Sequence, residues 1–278
     1  MDEIKTSDIS AENRAEILNI IENFRLMDDT FMSKVFEDKA CAELLLRVIL
    51  NRDDLTVVRV VSQFELKNLQ GRSARLDIYA VDEHGKQYDI EVQRSDDGAD
   101  PRRARYNSSL LDANLLNPGD KFDELPESYI IFITEHDVLK SGKPLYTVNR
   151  TISELDHAIF TDGSHIIYVN GEIRNGTALG ELMQDFFCKD PREMHYKVLS
   201  DRAGYFKKDK EGVDTMCKLV EDYGEKRARQ AAELASNERA VRMANNLWNK
   251  GERDLQQIAD LTDLPLDEVK KLFEGKTA

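Results

Sequence analysis

The chain is poor in the residues that build disulfide-bonded or zinc-centred proteins. Cys41, Cys188 and Cys217 are odd in number and far apart, without the paired spacing of a disulfide framework or a zinc site. They read as buried free thiols. Five histidines, none in a ligand-like pair, also argue against a zinc centre. No run approaches the roughly 18 apolar residues of a membrane-spanning helix. The opening MDEIKTSDIS has neither the basic start nor the apolar stretch of a secretory signal. A cytoplasmic protein with no membrane association is expected. Positive charge is scarce too: 39 lysines and arginines stand against 53 acids, a net charge of −14. That balance excludes indiscriminate adhesion to nucleic acid, which needs Lys and Arg to neutralise phosphates, but it leaves room for a local basic groove or a metal bridge.

At 278 residues the chain can bury one good core and carry an appended element. Most of the excess acid lies in residues 1–204, whereas residues 205–278 are near neutral. The expected organisation is a first domain over 1–204 and a helical extension over 205–278.

The most informative stretch is Arg75 to Gln93, RLDIYAVDEHGKQYDIEVQ. Its flanks, 75–81 and 87–93, alternate in character and are rich in β-branched and aromatic residues, and the residues between them include Gly85, so it predicts a β-hairpin. A loop centred on His84 sets Val81 opposite Gln87, Tyr79 opposite Asp89, Asp77 opposite Glu91 and Arg75 opposite Gln93. Because side chains alternate with period two, Asp77, Asp89, Glu91 and Gln93 then share one face, and Leu76, Ile78, Ala80, Ile90 and Val92 the other. Two opposed carboxylates about 5 Å apart repel by about 3 kcal/mol at an effective dielectric near 20. A divalent cation between Asp77 and Glu91 would relieve that repulsion, since Mg²⁺ is commonly held by one or two carboxylates with waters and phosphates completing its shell. Metal-dependent phosphodiester cleavage is one reading of the pair. A solvated polar face is the other. Asp89 reads as a supporting acid or as a partner for Arg75 or Lys86.

Around the hairpin, helices and strands interleave. Apolar spacing through Phe31, Val35, Phe36, Leu44, Leu45, Val48 and Ile49 predicts a helix or a broken pair, capped at Asp28 or Asp29 and carrying Glu37 and Glu43. Residues 57–66 form an expected first core strand. Asp100 and Pro101 open a further helix, whose first turns carry Arg102, Arg103 and Arg105 against the positive end of the helix dipole. An anion would justify them, either Asp96, Asp97 and Asp100 or a substrate phosphate. Residues 127–135, 145–150 and 165–170 read as three more strands. Residues 211–250 are helical, with Leu234, Val241 and Trp248 on one face, leaving packing on the first domain or a homo-oligomer open. Beyond Gly251, two short helices around Thr262–Leu264 resemble a helix-turn-helix, but the second begins with Asp267 and Glu268, which suits a plain helical hairpin better than a DNA reader.

Asp77 with Glu91-Val92-Gln93 resembles the D…ExK/Q signature of the PD-(D/E)XK nucleases. More narrowly, the chain resembles the Rpn family of recombination-promoting nucleases and transposases, which carries an ExQ variant. The likeness spreads over DDTFMSKVFEDKACAELLLRVIL, DIEVQR, RRARYN and LQQIADLTDLPLDEVKKL. It implies an α/β, restriction-endonuclease-like mixed sheet flanked by helices, with an all-helical C-terminal extension. It also implies a DNA endonuclease linked to recombination or transposition. Mg²⁺ or Mn²⁺ would be held by Asp77, Glu91 and the Val92 carbonyl. Gln93 would stand where most of the superfamily has lysine, and Arg103 and Tyr106 would hold substrate phosphate. In that superfamily the opening helix sometimes adds an acid, a role open to Glu37 or Glu43. A catalytically idle scaffold binding DNA or protein, and an RNA-cleaving enzyme, are the competing functions.

Overall fold

The computed structural model describes residues 11–68 and 71–274, with the backbone alone at 11, 12, 96 and 97. The acidic start MDEIKTSDIS, positions 69 and 70, and the side chains of Asp96 and Asp97 lie outside the described residues. The chain divides into two compact units, 1–217 and 218–278.

The first unit begins with α1 (Ala11–Asn23), α2 (Asp29–Val35) and α3 (Lys39–Leu50). The apolar pattern over 29–50 is therefore a broken pair of helices. Asp38 makes the break: its Oδ1 accepts from the amides of Ala40 and Cys41 at 2.9 and 3.2 Å, capping α3. Asp38→Ala is expected to destabilise the protein by about 1 kcal/mol in urea unfolding, the usual worth of an acidic cap.

Strands β1 (Val57–Leu66), β2 (Ala74–Asp82) and β3 (Gln87–Gln93) follow, then α4 (Pro101–Ala113) and β4 (Ser128–Thr134). Next come β5 (Leu145–Val148), a small separate ribbon of β6 (Thr151–Ile152) and β7 (Ala158–Ile159), and β8 (Ser164–Asn170). Helices α5 (Ala178–Phe187) and α6 (Lys197–Lys208) complete the series, and α7 (Lys210–Asn249) starts within this unit.

Six strands form one mixed sheet in the order β1-β2-β3-β4-β8-β5. The β1/β2, β2/β3 and β5/β8 pairs are antiparallel, while β3, β4 and β8 run parallel. The parallel strands explain the near-continuous apolar text of IIFI and IIYV, because such strands are covered on both faces. On one face Tyr79, Ile130, Phe132 and Tyr168 pack against Ala104, Leu110 and Leu111 of α4. This brings α4 over the acidic residues of β3. Its start is set as the sequence predicts, with Asp100 Oδ1 accepting from the Arg102 amide at 2.7 Å and Pro101 in the first turn.

The second unit has its own core. Ala244 and Trp248 pack with Ile258 and Ala259 of α8 (Leu255–Thr262) and with Val269 and Phe273 of α9 (Leu266–Phe273). Trp248 stacks on Phe273 at 4.3 Å between ring centroids. Gly251, at φ +101°, makes the left-handed stop after α7. No helix among the described residues is long and apolar enough to cross a membrane.

Candidate active site

The site lies where β2 and β3 part. Their ladder runs Val81↔Gln87, Ala80↔Tyr88, Tyr79↔Asp89 and Ile78↔Ile90, in the register the loop length predicts, and then stops. The expected pairs Asp77/Glu91 and Arg75/Gln93 do not continue it. From Asp77 towards its start, β2 stays paired with β1 through Leu76↔Phe64, Arg75↔Glu65 and Ala74↔Leu66, so the two hairpin strands fork. Asp77 bridges the fork with its side chain: Oδ2 accepts from the Val92 amide at 3.1 Å. A cavity of about 1020 Å³ opens there, with Asp77, Val92, Gln93, Arg103, Tyr106 and Asn107 in its wall.

The carboxylate face is not solvated. Asp89 and Glu91 are fully buried, because α4 covers them. Glu91 Oε2 accepts from Arg103 Nη2 at 2.5 Å and from Gln93 Nε2 at 3.2 Å, while its Oε1 has no partner. Asp89 Oδ2 accepts from Asn107 Nδ2 at 3.3 Å, and its Oδ1 has none. Neither Arg75 nor Lys86 serves Asp89: Lys86 is paired with Glu127 at 2.8 Å. One guanidinium thus stands among three acids. Burial and then the charge of Glu91 push the Asp77 carboxyl up to about 8, against the Val92 amide and Arg103. Burial, with Glu91 and Asp77, drives Asp89 well above the carboxylate range. Glu91 is raised by burial too, with Arg103 the main opposing influence.

Gln93 sits between Glu91 and Arg103, whose Nη1 donates to its Oε1 at 3.4 Å and to the Gly98 carbonyl at 2.8 Å. Gly98 is required for this fit, since a Cβ there would lie 2.0 Å from Gln93 Oε1. The Tyr106 hydroxyl donates to the Arg72 carbonyl and accepts from Asn68 Nδ2 at 3.1 Å, tying α4 to the segment between β1 and β2. In this state the anion that satisfies Arg103 is Glu91.

The acid that α2 brings to the cavity is neither Glu37 nor Glu43. Glu37 binds Lys34 and Ser62, and Glu43 binds the Val57 amide at 2.9 Å and Arg47 at 2.8 Å. Asp29 lines the cavity instead, with burial raising its carboxyl and Arg94 lowering it. The sequence offered one signal, the Asp28-Asp29 doublet at a helix start. Asp28 is used locally, on the Arg25 amide at 2.7 Å and on Arg94 at 2.9 Å.

Among the described residues no group of three or more His, Cys, Asp or Glu side chains is arranged as a metal cluster. A hard dication that keeps waters and phosphates in its shell needs fewer, and two carboxylates fit it. The buried Oε1 of Glu91, which has no partner in the cluster except a protonated Asp89, is the observation that supports that fit.

A mixed sheet flanked by helices, with acids gathered where a hairpin forks, places the protein in the restriction-endonuclease-like α/β class. The family model of the PD-(D/E)XK nuclease family transposases matches residues 36–259, and the chain belongs to that family. Membership assigns a nuclease- or transposase-related function, in a family of nucleases that generally use divalent metals. No curated protein and no solved structure matches the chain.

Proposed function

We propose that the protein is a divalent-metal-dependent endonuclease that hydrolyses DNA phosphodiester bonds, in recombination or transposition. The observation that carries this reading is Asp77 in the wall of an arginine-lined cavity, under the charge of Glu91, which lies buried behind that wall with one oxygen unsatisfied. Asp77, Glu91 and the Val92 carbonyl would hold Mg²⁺ or Mn²⁺. When bound, such a cation supplies polarisation of the phosphate and a more acidic water. The chain's own residues do the rest. Arg103 and Tyr106 face the cavity and hold the phosphate, Arg103 on leaving Glu91. Gln93, neutral and able only to hydrogen-bond, orients the water rather than balancing developing charge as a lysine would.

The test is a cleavage panel of plasmid, single-stranded DNA and RNA, with Mg²⁺ or Mn²⁺ omitted and restored. We expect nicking of plasmid that requires the cation. Cleavage of RNA alone would transfer the site to an RNA-cleaving enzyme, and no cleavage of any substrate would favour an idle scaffold. One observation favours that scaffold: Arg103 already neutralises Glu91 without a metal.

A further inference from the structure

Arg103 and a cation compete for the same oxygen. The guanidinium holds Glu91 Oε2 at 2.5 Å, and the two partners differ in access: the Arg103 side chain is 40% exposed, that of Glu91 0%. A dication placed on Glu91 repels Arg103 at close range, where little water intervenes to screen it. Arg103 then needs another anion. Its remaining contacts, the Gly98 carbonyl and Gln93 Oε1, are neutral and cannot replace a carboxylate. The same cavity is lined by Arg72 and Arg75, both exposed and without a side-chain hydrogen bond or ion pair among the described residues. Arg75 acts on Asp29 across the cavity without an ion pair, and the positive charge of the two arginines draws an anion to the place where Arg103 would meet it.

We propose that Arg103 is a latch shared by the two ligands. A phosphate of the nucleic acid backbone takes the guanidinium from Glu91, and the carboxylate so released takes the cation. Each ligand therefore strengthens binding of the other, since coupling between two sites is reciprocal. The cavity loads as a pair and resists a cation arriving alone. Arg103 acts here as a positioning residue, through Glu91, before any bond is cleaved. The latch rests on the reading of Asp77 and Glu91 as the cation's holders.

Calorimetry of the full chain reads the coupling directly. Mn²⁺ is titrated alone and after saturation with deoxythymidine 3′,5′-bisphosphate, which carries phosphates but no diester to cleave. We expect the nucleotide to tighten Mn²⁺ about tenfold or more in the natural protein, within the range of allosteric couplings, and at most about threefold in Arg103→Gln. Arg102→Gln is the control, because Arg102 lines the same cavity but only its backbone amide, which the substitution keeps, bonds to a carboxylate, and its guanidinium bonds to none among the described residues. It is expected to keep the natural ratio. An Arg103→Gln ratio equal to the natural one, or an equal fall in Arg102→Gln, overturns the latch. If Arg103→Gln does not fold, Arg103→Met carries the same expectation, since it removes the charge and keeps the apolar stem that packs at the site. Absence of Mn²⁺ binding both with and without the nucleotide, or binding unchanged in Asp77→Asn, instead overturns the placing of the cation, and the latch with it.

Discussion

Glu91→Gln and Asp77→Asn are each expected to lower cation-dependent cleavage by about a thousandfold. A Lewis-acidic ion contributes several kcal/mol of transition-state charge stabilisation, and about 4 kcal/mol corresponds to three powers of ten in rate. Both substitutions keep the shape of the side chain and remove the charge that the ion requires. Glu91→Gln also leaves Arg103 without its carboxylate, but Arg103 reaches the cavity and can be hydrated there, so the fold is expected to survive. The checks are plasmid nicking under saturating Mg²⁺ or Mn²⁺ and a far-ultraviolet dichroism spectrum of each variant. Residual activity within tenfold of the natural protein in either variant removes that residue from the site. Loss of activity with loss of the spectrum says nothing for catalysis, which is why the isosteric amides are preferred to alanine.

The hairpin was legible because its signals are local. Period-two alternation and a loop near Gly85 set the Tyr79↔Asp89 register, and both were readable from neighbours in sequence. The fork at Asp77 was not, because it depends on β1 keeping β2 through Phe64 and Glu65, and β1 lies across a loop. Burial is not legible for a related reason. A carboxylate face on a hairpin reads as solvated until the α4 crossover lays Asn107 over Asp89 and Arg103 over Glu91. The arginines at the start of α4 violate local preference and demand an anion, and this is legible in the sequence. What sequence could not say is that the anion would come from β3. Asp29 shows the same limit: its neighbour Asp28 reads equally well as the cap, and only the packing of α2 near the fork separates them.

Asp89→Asn is expected to stabilise the cation-free protein, and to do so more as the pH rises. Asp89 is fully buried, its Oδ1 lacks a partner, and its carboxyl is held well above its ordinary value of 3.8. The sign follows from proton counting. Below that value both folded and unfolded chains carry the proton, and the group contributes nothing. As pH rises above it the unfolded chain gives the proton up while the folded chain keeps it, so this group makes stability fall with pH. Asparagine matches the neutral acid in shape, keeps an oxygen for Asn107, and offers an amide to the unsatisfied oxygen of Glu91. A neutral residue of the same shape escapes this linkage, and is expected to stabilise by about 2 kcal/mol at pH 8. At pH 5 the gain is expected to be smaller. Urea unfolding of both proteins at the two pH values, with chelator present, reads the acidic cluster, because titrations remote from it cancel in the difference. An Asp89→Asn variant that is destabilised at pH 8 as much as at pH 5 would show the carboxylate to be ionised and paired in the folded chain. The acidic cluster would then hold its full negative charge before any cation arrives, and Arg103 alone would be too little to balance it.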